Sequence, residues 1–163
     1  MSAKTSQLQI RVTPQEKATL KRHARAAGRD VSSYVLSRAL PNGASRFAEL
    51  LRSLATATDH RYALAALHDF LHDAVPIIFA AAVAEGDVAA LTPYLRNYVA
   101  AMVDQAAAQK AVAPPAWVAD VVPLDTPHFV TSLKSLRLHM LRSAPVPFKR
   151  RNIFIDSSVG ARV

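Results

Sequence analysis

Cysteine is absent from the sequence, glycine is scarce, and no long apolar run occurs; each absence excludes a class of protein. Without cysteine there are no disulfides and no thiolate metal sites, which fits a reducing compartment. With only four glycines, the sequence predicts no glycine-rich loop that binds phosphate, and it contains no G-x-S-x-G elbow. No 18-residue apolar run and no N-terminal signal core are found, so we expect a cytoplasmic protein without a membrane span.

Positive charge is in excess, with 20 Lys and Arg against 12 Asp and Glu, and the excess lies at the ends of the chain. Residues 1–41 carry eight Lys or Arg against Glu16 and Asp30, a net charge of +6. Residues 42–142 carry eight against nine, and residues 143–163 carry four against one. A basic N-terminal segment that dimerises would present twice its charge to a polyanion. This favours a surface that binds nucleic acid over a basic surface that contacts only solvent.

Residues 7–13 alternate between polar and apolar side chains, which is the pattern of a half-buried strand. The apolar face consists of Leu8, Ile10 and Val12. The polar face consists of Gln7, Gln9, Arg11 and Thr13. A one-faced strand of this kind predicts a core on one side and solvent or a ligand on the other.

A helix start follows the strand directly. Thr13 suits the N-cap, Pro14 the first helical position, and Glu16 completes a capping box. Gly28 suits the left-handed residue at the helix end, and Asp30 suits the cap of a second helix. One strand and two helices in about 35 residues cannot bury a core alone, and a lone strand leaves an unpaired edge. We therefore predict a homodimer, or a higher even oligomer, whose strands pair as an antiparallel ribbon.

This stretch resembles the ribbon-helix-helix family of DNA-binding proteins, in the manner of Arc and MetJ. The matching residues are Q-x-Q-x-R on the strand and G-R-D-V-S-S at the start of the second helix. The resemblance implies that the ribbon enters the major groove and that Gln7, Gln9 and Arg11 read base edges. It also implies that the Val31 amide and Ser32 hold a phosphate, beside Asp30, whose charge should cost some anion affinity. Additional phosphate contacts are expected from Lys4, Lys21 and Arg25.

The opening is also similar to the DNA-binding halves of many bacterial antitoxins. That similarity implies a sequence-specific repressor, the antitoxin of a toxin–antitoxin pair, which neutralises a cognate toxin through its C-terminal part and autoregulates its operon. An alternative is a non-catalytic plasmid maintenance or architectural DNA-binding protein. A third interpretation is a helical ribonuclease centred on Arg61 and His68, whose seven-residue spacing would place them on one helix face. We expect no catalytic activity and no cofactor.

The rest of the chain reads as a helical domain over residues 45–142, so the predicted fold class is mainly α. Apolar spacing predicts a helix after Ser45 and a second helix over residues 60–72 that Asp59 caps and that buries Tyr62. Thr92-Pro93 predicts the start of a long helix, and residues 129–141 predict a last one. The apolar residues 74–84 predict a buried helix. His68 and His72 share a helix face, but two histidines without a third ligand predict no metal site.

Residues 143–163 form a basic tail with strand composition, and two interpretations remain open for it. Ile153, Phe154 and Ile155 follow the basic cluster of Lys149, Arg150 and Arg151. The tail could lie on the helical body as a terminal strand or turn. It could instead be a partner-binding segment that adds an edge strand to another protein, because the helical body offers no evident strand to pair with.

Overall fold

The structure is a computed structural model that describes residues 9–26, 28, 30–32, 34–35 and 43–156. The chain divides into two compact units, Met1–Asn42 and Gly43–Val163, called here the N-terminal and C-terminal units. The described part is mainly helical, as predicted. No helix in the described ranges is both long and apolar enough to cross a membrane.

The N-terminal unit contains α1 (Pro14–Ala26), and residues 31, 32, 34 and 35 are also helical. Residues 9–13 precede α1 without regular secondary structure. A strand is defined by its pairing, and a single copy supplies no second strand for a ribbon, so the ribbon stays a prediction. The predicted residues Lys4, Gln7 and Leu8 lie outside the described residues.

The C-terminal unit contains seven further helices, one 3₁₀ turn and two short strands among the described residues. The helices are α2 (Gly43–Thr56), α3 (His60–Asp73), α4 (Pro76–Ala82), α5 (Pro93–Gln109), α6 (Ala116–Asp120), α7 (Arg137–Ser143) and α8 (Val146–Lys149). The 3₁₀ turn is Lys134–Leu136, and the strands are β1 (His128–Phe129) and β2 (Ile153–Phe154).

Helix α5 is the centre of this unit. Its buried residues run from Leu95 to Ala107 and include the side chains on every face, as expected for a helix surrounded by others. Helices α3, α4, α6 and α8 pack directly on it, and α2 packs on α3 and α4. Thr92 caps α5 by accepting from the Leu95 amide at 3.3 Å, and Asp59 caps α3 by accepting from the Arg61 amide at 3.0 Å. Both predicted helix starts are confirmed.

Two burial predictions and one helix prediction for the helical body are wrong. Tyr62 is 82% exposed, because it lies on the face of α3 opposite to Ala63 and Leu67. Helix α4 is not a buried helix, since only Phe79 and Ala82 of its residues are buried. The predicted helix over 129–141 is divided into β1, a 3₁₀ turn and α7, because Phe129 pairs with Phe154 in a parallel two-stranded sheet.

Of the two interpretations left open for the tail, the structure shows the first over the described residues up to 156: a strand that lies on the helical body. Strand β2 pairs with β1, and the His128 amide donates to the Asn152 carbonyl at 2.7 Å. Phe148, Arg151, Ile153, Phe154 and Ile155 are buried. The expectation that the body offers no partner strand fails, because residues 128–129 supply one. In this conformation none of the three apolar side chains at 153–155 is available to another protein.

Candidate nucleic-acid interface

The start of α1 is held by a reciprocal capping box. The Glu16 carboxylate accepts from the Thr13 amide at 2.8 Å and from the Thr13 hydroxyl at 2.9 Å. The Glu16 amide in turn donates to the Thr13 hydroxyl at 3.3 Å. The hydrogen bonds from the Thr13 amide and then from its hydroxyl lower the pKa of Glu16. The cap ties Thr13 to the first turn of α1, so it sets where the predicted reading strand ends.

The turn after α1 follows the predicted glycine chemistry. Gly28 has a φ of +64°, and its amide donates to the Arg25 carbonyl at 3.0 Å. Only glycine adopts this left-handed conformation without strain, so Gly28 turns the chain at the end of the helix. The Tyr34 amide donates to the Asp30 carbonyl at 2.9 Å, which is the first hydrogen bond of a helix that Asp30 begins. His23 and Tyr34 meet edge to face, with ring centroids 6.2 Å apart.

The described cations of the N-terminal unit lie on its surface. They are exposed: Arg11, Lys17, Lys21, Arg22 and Arg25. None of them takes part in the ion pairs found between described residues. Lys17, Lys21 and Arg25 are four residues apart and share one face of α1. The i, i+4 spacing therefore adds Lys17 to the predicted phosphate-contacting pair Lys21 and Arg25.

The predicted base-reading and phosphate-holding residues are accessible wherever they are described. Gln9 and Arg11 are exposed, as are Val31 and Ser32 at the first helical positions after Asp30. The first amides of a helix have no partner within it, so the Val31 amide is placed where helices hold phosphate oxygens. Lys4 and Gln7 lie outside the described residues.

Apolar side chains are exposed beside these polar ones. Ile10 is 60% exposed, Val12 42% and Val31 36%. Ile10 and Val12 belong to the predicted apolar face of the strand. Both side chains are exposed in one copy of the chain, and a partner strand with its helices would cover them.

Arg61 and His68 have separate partners. The Arg61 guanidinium binds Asp59, with Nη2 to Oδ2 at 2.8 Å and Nε to both oxygens at 3.1 Å. The side-chain hydrogen bond to Arg61, followed by the backbone one, lowers the pKa of Asp59 to about 2. His68 Nδ1 lies 3.3 Å from Asp69, and its Nε2 is buried without a partner. No contact joins Arg61 to His68 in the described part of the chain.

Histidine and carboxylate side chains form no group of three that could hold a metal ion among the described residues. His68 and His72 do lie together, with ring centroids 5.9 Å apart. No third ligand lies nearby among the described residues, so we interpret the pair as two histidines that contact each other on one helix face rather than as a metal site.

Comparison with known proteins identifies one similarity. Residues 3–57 match the model of a family described as NikA-like, mobilization protein NikA. No curated protein and no solved structure matches the chain. The matched range covers about a third of the chain and contains the capping box of α1, the turn at Gly28 and the exposed cations. Over this N-terminal third, the chain is similar to a family of mobilization proteins.

Proposed function

We propose that this chain is a DNA-binding protein of the mobilization type, which binds double-stranded DNA as a homodimer through its N-terminal unit. One observation carries the proposal: the range matched by the mobilization-protein family holds ten of the 20 Lys and Arg of the chain against three of its 12 Asp and Glu. The range holds the exposed cations of α1 and the candidate reading strand. A plasmid DNA-binding role agrees with the alternative that the sequence itself left open.

The reading surface of the proposed dimer is a ribbon of two strands, one from each copy. Gln7, Gln9 and Arg11 would face the major groove, where glutamine pairs with adenine and arginine with guanine. The Thr13–Glu16 cap would fix the last residue of each strand to the first turn of α1. Each copy would then present the same three side chains, related by the two-fold axis of the dimer.

Phosphate contacts would hold the ribbon in register. The Val31 amide and Ser32 lie at the start of the second helix, where orphan N–H groups and the helix dipole attract an anion. Lys17, Lys21 and Arg25 add positive charge along one face of α1. Such contacts position the protein without reading sequence, and they make its affinity depend on salt.

Exposed apolar side chains of the N-terminal unit are the reason to propose a dimer. Ile10 and Val12 are exposed in one copy, and a second copy would cover them by pairing its strand and packing its helices on the same face. Folding and dimerisation of this unit would then be coupled, so its stability would depend on protein concentration.

Binding selection from a random duplex pool tests this function. The full chain should enrich a sequence, and fluorescence anisotropy should give an affinity for it about a thousandfold or more above that for a scrambled duplex. The Lys21→Ala change should weaken binding to both duplexes, whereas Arg52→Ala, an exposed cation of α2, should weaken neither. A chain that enriches no sequence and binds heparin as tightly as DNA would contradict the proposal.

The proposed role requires no catalysis. Arg61 is bound to Asp59 at the start of α3, and this is a structural use of the residue. The antitoxin interpretation stays a prediction that rests on the resemblance of the N-terminal stretch. Its expected toxin-binding side chains at 153–155 are buried in the C-terminal unit, so the mobilization role is the better-supported of the two.

A further inference from the structure

Two segments of the C-terminal unit carry formal charges of opposite sign, and the basic one ends against Asp156, whose Oδ2 lies 3.4 Å from His139 Nε2. Residues 62–95 contain no Lys or Arg, and their carboxylates are Asp69, Asp73, Glu85 and Asp87. Residues 126–155 contain no Asp or Glu, and their cations are Lys134, Arg137, Arg142, Lys149, Arg150 and Arg151. We call these the acidic segment and the basic segment. The two segments contact each other where the ring centroids of Tyr94 and His128 lie 4.2 Å apart.

The acidic segment also exposes large apolar side chains. Tyr62 and Ile77 are each 82% exposed, Ile78 55% and Val75 53%. Val75 and Ile77 follow Asp73 within four residues, so carboxylates and apolar side chains lie next to each other where α3 passes into α4. Lys110 approaches this place from α5, where its Nζ donates to the His72 carbonyl at 2.8 Å. All four carboxylates of the segment are on the surface.

The basic segment likewise exposes large apolar side chains, here beside positive charges. Its exposed apolar side chains are Val130, Leu133, Leu136, Leu138, Leu141 and Val146. They alternate with Lys134, Arg137 and Arg142, which are exposed. None of these three cations belongs to an ion pair between described residues, and the Arg137 guanidinium lies 5.1 Å from the centroid of the Phe129 ring. Arg151 is the one cation of the segment that is buried.

Together the two segments hold ten of the fourteen large apolar side chains that are exposed in the described part. Exposed apolar side chains gathered among charges of one sign are typical of contact surfaces rather than of a solvated exterior. Carboxylates repel duplex DNA, so the acidic surface excludes it, and the exposed leucines of the basic surface would gain little from a phosphate backbone. A protein surface with apolar side chains and opposite charge fits each of them.

We propose that each surface is occupied by the other surface of a second copy of this chain. The acidic segment of one copy docks against the basic segment of the next, with Ile77 and Leu138 among the apolar side chains that become buried. Both surfaces are exposed on one unit, so they do not cover each other within a copy. A contact between two different surfaces is heterologous, and it continues from copy to copy instead of closing as a pair.

The consequence for DNA rests on the proposed function. N-terminal dimers on neighbouring sites would be joined through their C-terminal units, which makes their loading cooperative. The association itself does not need DNA, so it can fail or succeed independently of DNA binding.

Sedimentation velocity of the full chain tests the contact. At about 50 mM salt, the wild-type protein should form larger oligomers as its concentration rises. At about 500 mM salt, it should form fewer of these larger oligomers, because salt screens the charges. Leu138→Asp and Ile77→Asp should each weaken this association about tenfold or more, because each places a charge in an apolar contact. Val122→Asp is the matched control, since Val122 is 77% exposed and lies outside both segments.

Charge reversal separates this contact from any other cause of association. The variants Arg142→Glu and Asp73→Lys should each remain small, because each confronts like charges across the contact. Their equal mixture should recover association, since each reversed residue then meets an opposite charge. Recovery in the mixture supports the proposal, and failure to recover overturns it. A wild-type protein of one size at every concentration and both salt levels also overturns it, whatever its affinity for DNA.

Discussion

The Arg151 guanidinium lies inside the C-terminal unit and donates through Nη1 to the Asn97 side-chain oxygen at 3.4 Å, across 54 residues of sequence. Arg151 also donates to the carbonyls of Val118 at 2.6 Å and Val121 at 3.1 Å, at the end of α6. Burial lowers the pKa of Arg151, and the charge of Asp104 partly opposes that effect. The side chain is 7% exposed, so a residue of the supposed tail joins α5 to α6.

Replacing Arg151 should therefore destabilise the C-terminal unit. Arg151→Ala leaves two buried carbonyls and the Asn97 oxygen without a donor, and we expect a loss of about 2–4 kcal/mol in the free energy of unfolding. Urea unfolding followed by circular dichroism measures the change. Arg150→Ala is the control, because Arg150 is exposed and its loss should cost no more than about 0.5 kcal/mol. Equal effects of the two changes would show that the buried network is not stabilising.

Deleting residues 146–163 should unfold much of the C-terminal unit. The deletion removes Phe148, Arg151 and strand β2, which pack on α5 and pair with β1. We expect lost helical signal and weaker amide protection in α5 and α6, measured by circular dichroism and hydrogen exchange. A truncated chain with wild-type stability and protection would mean that the segment behaves as an appended tail after all.

The pKa of Asp59 offers a direct test of the cap on α3. It is lowered to about 2, chiefly by the side-chain hydrogen bond to Arg61. Because the folded pKa lies below the ordinary value, the stabilisation is present at neutral pH and is lost as pH falls from about 4 to about 2. Carbon-detected NMR titration of the carboxyl group should show this midpoint, and Arg61→Ala should raise it. An Asp59 midpoint near 4 in the wild-type chain would exclude the interaction.

Arg11 should contribute to sequence preference rather than to general affinity. Arg11→Ala should cost about 1–3 kcal/mol on the selected duplex and relax the preference at one base pair, because arginine is expected on a guanine edge. Lys21→Ala should weaken specific and random duplexes equally and reduce the salt slope by about one. Anisotropy titrations at several salt concentrations distinguish the two effects. Equal losses on both duplexes for Arg11→Ala would make that residue a phosphate contact.

Ile10→Lys tests whether the N-terminal unit folds only as a dimer. In a monomer the change should cost little, because Ile10 is 60% exposed in one copy. In the proposed dimer it would bury an unpaired charge, so the unit should unfold and DNA binding should be lost while the C-terminal helices remain. Circular dichroism measures the loss of helix, and analytical ultracentrifugation measures the oligomeric state. Gln9→Lys is the control on the polar face, and a folded monomeric N-terminal unit at micromolar concentration would contradict the prediction.

Local signals in the sequence were enough to place most helix ends. The Thr13–Glu16 box, the Asp59 cap, the Thr92-Pro93 start and the turn at Gly28 all appear as predicted. Each depends on hydrogen bonds or backbone angles within about four residues, so the sequence alone contains the whole interaction. The basic character of the N-terminal unit, and with it the proposed DNA surface, is likewise a property of composition.

Burial and strand pairing were decided only by the tertiary structure. Phe129 lies in a strand rather than a helix because Phe154, distant in sequence, pairs with it, and Arg151 is buried because α5 and α6 meet over it. Tyr62 has the apolar character of a core residue, yet it is exposed on α3 because no other described segment packs over it. Such outcomes depend on which distant segments come together, and the free energy of those contacts outweighs the local helical pattern. The sequence alone determined where helices begin; contacts between remote residues determined which faces they bury.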